Sequence, residues 1–134
     1  MPNGDCSMVY LEKDEIVKVN NQVTGHAVII NAGALDNAVE GPQRTFSGHE
    51  IYPTLPGKVY ALALPIAQNH PFADGNKRTA TISVNQFLQL NGHFVSQDDQ
   101  AFLIDNINNL ADEHPIEEDD FIEAVGDIIQ PNGV

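Results

Sequence analysis

The segment from Asn76 to Asn91 carries the strongest helical pattern in the chain, and it constrains the fold more than any other feature. Its apolar residues recur at the spacing of one helical face, and Gly92 follows as a residue typical of a helix C-terminus. These apolar residues are Ile82, Val84, Phe87, Leu88 and Leu90. A helix with one long apolar side must bury that side against other elements. The rest of the chain therefore has to supply packing partners.

Most of those partners are also predicted to be helices. Helical patterns occur at Leu11–Val23, Ala32–Glu40, Lys58–Asn69, from Ser96–Asp99 to Leu110, and at Glu117–Ile129. Pro65 interrupts the third of these and predicts a kink or two shorter helices there. The residues between Gln43 and Pro56 favour a short hairpin or an extended flap. Five or six helices with one small extended element predict an all-α fold class.

The chain shows no repeat and no linker, so its 134 residues predict a single domain over 1–134. We expect a core at about 10–129 with short loose termini. Cys6 has no second cysteine to pair with and is interpreted as an incidental reduced thiol. The N-terminus lacks the features of a signal peptide, and the near-apolar run 59–67 is too short to cross a membrane. We expect a cytoplasmic protein.

The formal net charge of -13 is the most unusual global property of the sequence. Such a charge repels phosphate backbones and anionic lipids, so no direct nucleic-acid partner and no membrane partner are expected. The chain has six basic residues, and two of them, Lys77 and Arg78, are adjacent. In a chain this acidic, an adjacent cationic pair is a candidate anion-binding spot.

The residues from His70 to Arg78 place that cationic pair at the start of the strongest helix. Gly75 permits close approach of another group, and Asn76 opens the helix. The unpaired N–H groups and the dipole at a helix N-terminus attract anions. Lys77 and Arg78 add two positive charges, and the Asn76 amide can donate to a phosphoryl oxygen. The segment predicts a phosphate-binding site.

His70 and Asp74 add reactive chemistry to this anion site. Pro71 disfavours helical geometry at His70, so the preceding helix is expected to end there. A histidine can accept a proton near neutral pH, which suits a general base. Asp74 is a hard oxygen ligand suited to Mg²⁺. Each residue alone has an ordinary structural interpretation, and Phe72 is interpreted as a core anchor of the loop. Together they form the set of groups required for phosphoryl or nucleotidyl transfer.

The stretch HPFADGNKRTA resembles the signature of Fic/Doc proteins, and within them the Doc (death-on-curing) branch. The resemblance extends from about Tyr10 to Ile129, with further landmarks at Gly41-Pro42-Gln43, Tyr52-Pro53-Thr54 and Leu90-Asn91-Gly92. It implies a helical Fic fold that uses ATP and Mg²⁺. By this resemblance His70 is the catalytic base, Asp74 the metal ligand and Phe72 the motif anchor. The implied phosphate-binding residues are Gly75, Asn76, Lys77 and Arg78.

The same resemblance implies a flap that positions the target in extended form. Its residues are Thr45, Phe46, Ser47, Gly48, His49, Glu50, Ile51 and Tyr52. AMP-transferring Fic enzymes usually have glycine in place of Lys77 and a second arginine in place of Thr81, so this chain is more similar to the Doc branch. The prototype of that branch has alanine at the place of Gly75, a difference we expect to be neutral.

The Doc branch implies a toxin that phosphorylates a translation factor, elongation factor Tu, on a hydroxyl side chain and arrests translation. It also implies a Phd-like antitoxin as partner. One alternative is AMP or nucleotidyl transfer to a protein hydroxyl. A second alternative is a catalytically inactive interaction or regulatory module, against which the intact His70, Asp74 and Arg78 argue.

Overall fold

The computed structural model describes residues 7–132, and within that range the chain forms six α-helices and two small antiparallel sheets. The helices are α1 Lys13–Thr24, α2 Ala32–Glu40, α3 Leu55–Asn69, α4 Asn76–Leu90, α5 Gln100–Asn109 and α6 Glu118–Gly126. Short 3-10 helices cover Gly41–Gln43 and Gln97–Asp99. The strands are β1 Thr45–Phe46, β2 His49–Glu50, β3 His93–Val95 and β4 Ile129–Pro131. The predicted all-α class is confirmed. Cys6 and the outermost terminal residues lie outside the described range.

Helix α3 is the central element of the core. It contacts α2, α4, α5 and α6, and ten of its fifteen residues are buried. A helix that is apolar on every side is stable only when other elements surround it. Val59, Leu62 and Ile66 of α3 pack in one cluster with Phe87 of α4 and Phe121 of α6. Because α3 ends at the predicted site, the most constrained helix of the fold positions that site.

Pro65 lies inside α3 without dividing it. The helix runs continuously from Leu55 to Asn69, so the prediction of two shorter helices is wrong. A proline at this position leaves the carbonyl of Ala61, four residues earlier, without its helical N–H partner. Gly41 packs against that carbonyl so closely that an added Cβ would lie 3.3 Å from the Ala61 oxygen. The surrounding packing therefore accommodates the proline that local propensity alone disfavours.

The predicted hairpin is present as β1 and β2. Ser47 and Gly48 both have positive φ, 53° and 79°, as a two-residue type I′ turn requires. Lys58 of α3 anchors the hairpin: its buried Nζ lies 2.7 Å from Glu50 Oε1 and donates to the Pro42 carbonyl at 3.0 Å. Burial lowers the pKa of Lys58, but the hydrogen bonds and charges of Glu50 and Tyr10 outweigh this effect and leave the pKa above its usual value. The hairpin is thus tied to the N-terminal end of α3.

The last predicted helix is shorter than expected. It ends at Gly126 rather than Ile129, and Ile129–Pro131 forms β4 instead. This strand pairs with β3, with Val95 opposite Ile129 and His93 opposite Pro131. A few apolar, β-branched residues at the end of a helical pattern fit either structure, and only a pairing partner distant in sequence decides between them. The chain therefore has a second sheet that the sequence pattern did not predict.

Candidate active site

A surface cleft of about 450 Å³ lies where α3 ends and α4 begins. It is lined by His70, Phe72, Ala73, Asp74, Gly75, Asn76, Lys77, Arg78 and Ile30. All of the motif residues singled out in the sequence thus meet at one concave surface. Ile30 is the exception, since it belongs to the connection between α1 and α2, to which the sequence assigned no role.

The motif loop is held by backbone pairing with that connection. Ile29 and Phe72 form an isolated antiparallel bridge, and Ala73 N–H donates to the Val28 carbonyl at 2.9 Å. Ile30 N–H donates to the Pro71 carbonyl at 2.8 Å. Phe72 is fully buried, in keeping with its interpretation as the anchor of the loop. The loop is therefore fixed by hydrogen bonds on one side and by the core on the other.

The side chain of Asn76 closes the loop onto the start of α4. Its Oδ1 accepts from Phe72 N–H at 3.0 Å, and its Nδ2 donates to the Phe72 carbonyl at 2.8 Å. The amide expected to donate to a phosphoryl oxygen is thus already engaged with the backbone. Phosphate binding by Asn76 remains a prediction, and the backbone N–H of Asn76 is the donor that these contacts leave available.

Helix α4 begins without a side-chain cap. Asn31 and Thr54 cap α2 and α3 by accepting backbone N–H groups, whereas Gly75 at the N-cap of α4 has no side chain to do so. The N–H groups of the next three residues therefore have no hydrogen-bond partner within residues 7–132. They belong to Asn76, Lys77 and Arg78. Three free donors at one helix end form a ready anion site.

The first turn of α4 also carries an unusual charge pattern. Lys77 and Arg78 are exposed, and the described part of the chain provides no ion-pair partner for either. By contrast, Lys13, Arg44 and Lys58 each lie within 4 Å of a carboxylate. Cations at a helix N-terminus are disfavoured by the dipole. The arrangement leaves this turn with uncompensated positive charge.

His70 and Asp74 flank the free donors. His70 is the C-cap of α3 with a φ of 51°, a left-handed conformation that costs a non-glycine residue about 1 kcal/mol. Its side chain lines the cleft and is exposed. One carboxylate oxygen of Asp74 accepts from Gly75 N–H at 2.8 Å. No cluster of three or more metal-ligating side chains occurs among the described residues. A cation at Asp74 would therefore depend on this carboxylate, water and substrate oxygens, as Mg²⁺ commonly does.

The hairpin predicted to be the target-positioning flap lies apart from these groups. None of its residues lines the cleft in the described range. Its anchor Lys58 and the base candidate His70 are at opposite ends of α3, about 18 Å apart along the axis at 1.5 Å per residue. Phe46 and Ile51 of the hairpin are exposed. Its role in positioning a target remains a prediction.

Two residues at the site were missed by sequence reasoning. Ile30 lines the cleft, and it ends a run of exposed, β-branched residues from Val28 that is unusual on a soluble surface. That run was a usable signal. Asn20 of α1 donates to the Asp74 carbonyl in the motif loop. The spacing of Ile16, Val19 and Val23 places Asn20 on the buried face of α1 and was a usable signal.

Comparison with known proteins shows the family of this chain. A profile of the Fic/DOC family matches residues 10–88, which include the cleft, the hairpin and most of α4. The chain is also 35% identical over 105 residues to the protein named Toxin Doc of Mycolicibacterium smegmatis, and the match covers 78% of each chain. This chain belongs to the Fic/DOC family. Within the described residues of this Fic/DOC protein, no helix is both long and apolar enough to cross a membrane.

Gly75 is not a neutral position in this member of the family. Its φ is +72°, and an added Cβ would lie 2.9 Å from Val23 Cγ1 and 2.8 Å from Thr24 Cγ2 of α1. The Gly75→Ala variant should lose about 2 kcal/mol of unfolding free energy, because it combines backbone strain with displacement of two stiff side chains. Urea denaturation measures this loss.

Gly92→Ala is the matched control. Gly92 has a φ of +77° but no atom within 4 Å of the added Cβ, so this variant carries the backbone strain alone. An equal loss in both variants would show that the contact of Gly75 with α1 contributes nothing.

Proposed function

We propose that this Fic/DOC protein is the toxin of a toxin–antitoxin pair. In this proposal it transfers the terminal phosphoryl group of ATP to a hydroxyl side chain of a translation factor, with elongation factor Tu the expected target. The observation that carries the proposal is the uncapped, doubly cationic start of α4 beside His70. Family membership and the similarity to a protein named Toxin Doc support it.

The electrostatics of α4 favour an anionic ligand at this position. Each cation in the first turn of a helix opposes the dipole by about 0.3–1 kcal/mol. At the same point, three N–H groups lack hydrogen-bond acceptors within the described residues. A triphosphate would satisfy both, since it supplies negative charge and several acceptor oxygens. An uncharged ligand could supply acceptor oxygens but not the negative charge.

The residues present also fit Mg²⁺ as the accompanying cation. Asp74 would hold it through the carboxylate, and the metal would supply charge neutralisation to the phosphates. Lys77 and Arg78 would hold the phosphate oxygens together with the N–H groups of α4. Arg78 presents a planar fork that donates in parallel, whereas Lys77 acts as a point charge.

In the proposed reaction His70 accepts the proton of the target hydroxyl. The hydroxyl oxygen then forms a bond to the terminal phosphorus of ATP, and the bond from that phosphorus to the bridging oxygen breaks. ADP leaves with the electron pair of the broken bond. The proton taken by His70 is afterwards released to solvent. The products are the phosphorylated target, ADP and one proton.

The identity of the transferred group is tested with labelled ATP. Lys77 and Thr81, where AMP-transferring relatives are expected to have glycine and arginine, favour transfer of the terminal phosphoryl group. The purified chain is incubated with a translation extract, Mg²⁺ and ATP labelled at either the α or the γ phosphorus. We expect label in a protein band from the γ position only. Label from the α position alone would instead establish nucleotidyl transfer, and absence of both labels would favour an inactive binding module.

The proposed partners follow from the same activity. A toxin that arrests translation requires restraint, and we propose that a Phd-like antitoxin covers the cleft. The reaction would take place in the cytoplasm, where the translation machinery and ATP are found. Intact-mass measurement of elongation factor Tu after reaction identifies the target, because phosphate and AMP add very different masses.

The Arg78→Ala variant tests the phosphate-binding site. We expect it to bind Mg²⁺·ATP about 10- to 100-fold more weakly, because hydrogen bonds to charged groups are worth about 1.5–3 kcal/mol. Isothermal titration calorimetry measures the affinity. Arg44→Ala is the control, since Arg44 is also exposed but pairs with Glu40 outside the cleft. Unchanged affinity in Arg78→Ala would remove Arg78 from the proposed site.

A further inference from the structure

Asn20 is a buried polar residue whose side chain donates hydrogen bonds to the motif loop and to α4 rather than within its own helix. Asn20 is 1% exposed and lies within α1. Its Nδ2 donates to the Asp74 carbonyl at 2.8 Å and to Thr79 Oγ1 at 3.0 Å. One side chain of α1 therefore contacts both ends of the turn that opens α4.

The orientation of this amide is determined by its partners. The Asp74 carbonyl can only accept, so the nitrogen and not the oxygen of the Asn20 amide must face it. Asn20 Oδ1 is buried and has no hydrogen-bond partner in the described part of the chain. Burying an unpaired acceptor is unfavourable, and an apolar residue of similar size would avoid that cost. The two bonds that the amide donates offset this cost.

The first bond acts on the Asp74 carboxylate through one peptide unit. The carbonyl of Asp74 and the N–H of Gly75 belong to the same planar unit and point in opposite directions. Asn20 holds the carbonyl end, and the N–H end donates to Asp74 Oδ1 at 2.8 Å. Because Asn20 fixes the plane of the Asp74–Gly75 peptide unit, it also fixes the direction in which the Gly75 N–H group donates to the Asp74 carboxylate.

The second bond acts on the free donors of α4. Thr79 is the first residue of α4 whose N–H makes a helical hydrogen bond, 2.9 Å to the Gly75 carbonyl. The three free N–H groups lie between the two points that Asn20 holds. Val23 and Thr24 of α1 lie on the same side of Gly75 as Asn20, where they leave no room for a Cβ. Helix α1 thus contacts the turn at Asp74, Gly75 and Thr79 and holds it in position.

We propose that Asn20 is a positioning residue that orients the Asp74 carboxylate and the first turn of α4 for Mg²⁺·ATP. This inference rests on the proposed function for its ligand. Asn20 itself touches neither nucleotide nor target. Its effect is exerted through the Asp74–Gly75 peptide unit and the Thr79 hydroxyl.

The test compares Asn20→Leu with Asn106→Leu. Asn106 is a matched control because it is also buried and its Nδ2 also donates to a backbone carbonyl, that of Phe102 within α5. Both variants should unfold at lower temperature than the wild type. Only Asn20→Leu should bind Mg²⁺·ATP more weakly in calorimetry on the folded protein, by about 10- to 100-fold, as for residues that orient metal ligands from outside the site. A residue needed only for folding would leave the affinity of the folded protein unchanged.

Hydrogen exchange without nucleotide provides an independent measurement. We expect faster exchange at the amides of residues 73–79 in Asn20→Leu and no such change in Asn106→Leu. If Asn20→Leu does not fold, Thr79→Val removes one of the two bonds and should lower affinity less, with Thr79→Ser close to the wild type. Equal affinity and equal exchange in the Asn20 variant and its control would overturn the inference. A wild type that binds Mg²⁺·ATP but transfers nothing contradicts the proposed function and leaves this comparison intact.

Discussion

The His70→Ala variant is expected to transfer phosphoryl groups about 10²- to 10⁴-fold more slowly than the wild type while binding Mg²⁺·ATP with similar affinity. The imidazole lines the cleft at the end of α3, beside the proposed anion site but not part of it. Its loss removes the proton acceptor and leaves the N–H groups, Lys77 and Arg78 in place. The rate of phosphoryl transfer should therefore fall while the affinity for Mg²⁺·ATP stays similar.

Single-turnover transfer from γ-labelled ATP measures the rate, and calorimetry measures the affinity. The control is His114→Ala, because His114 is exposed and lies outside the cleft. In a sensitive host without antitoxin, expression of the wild type should stop growth and expression of His70→Ala should not. Equal growth arrest by both proteins would refute the role of His70 as catalytic base.

The Phe72→Ala variant is expected to lose about 3–5 kcal/mol of unfolding free energy. Phe72 is fully buried within the core cluster, and its backbone is held by both Ile29 and Asn76. Removing the ring leaves a cavity directly under the motif loop. Since domains are stable by only about 5–15 kcal/mol, this single change should bring the protein close to unfolding and abolish activity with it.

Urea denaturation followed by circular dichroism measures the effect of Phe72→Ala. Phe102→Ala is the control: Phe102 is 47% exposed on α5, so its loss should cost about 0.5 kcal/mol. The Phe72→Leu variant keeps most of the volume and should cost less than about 1.5 kcal/mol. A small loss in Phe72→Ala would show that the ring does not anchor the loop.

The parts of this fold that the sequence predicts well are those with local signals at both ends. Helix α2 has the predicted bounds because Asn31 caps it and Gly41-Pro42 ends it. The start of α4 and the end of α3 are likewise marked by Gly75 and by His70 before Pro71. These short-range rules place the motif at a junction between two helices, which is the main property of the candidate site.

Three features that the sequence did not predict depend on contacts between distant residues. Gly41 packs against the carbonyl that Pro65 leaves unpaired in α3, and β4 depends on pairing with β3. The same holds for Asn20, which lies 54 positions before Asp74. Periodicity reports which face of an element is buried but not which neighbour it meets. The identity of the residues that support the motif loop therefore required the structure.

The separation along α3 between the residue that anchors the hairpin and the cleft has a consequence for the size of a substrate that could reach both. The Lys58 anchor and His70 are separated by about 18 Å along α3. An extended polypeptide spans at most about 3.5 Å per residue, so one stretch reaching from hairpin to imidazole would need at least about six residues. Shorter synthetic peptides could occupy only one of the two places. If the hairpin positions the target as predicted, assays of target specificity call for whole proteins or long peptides.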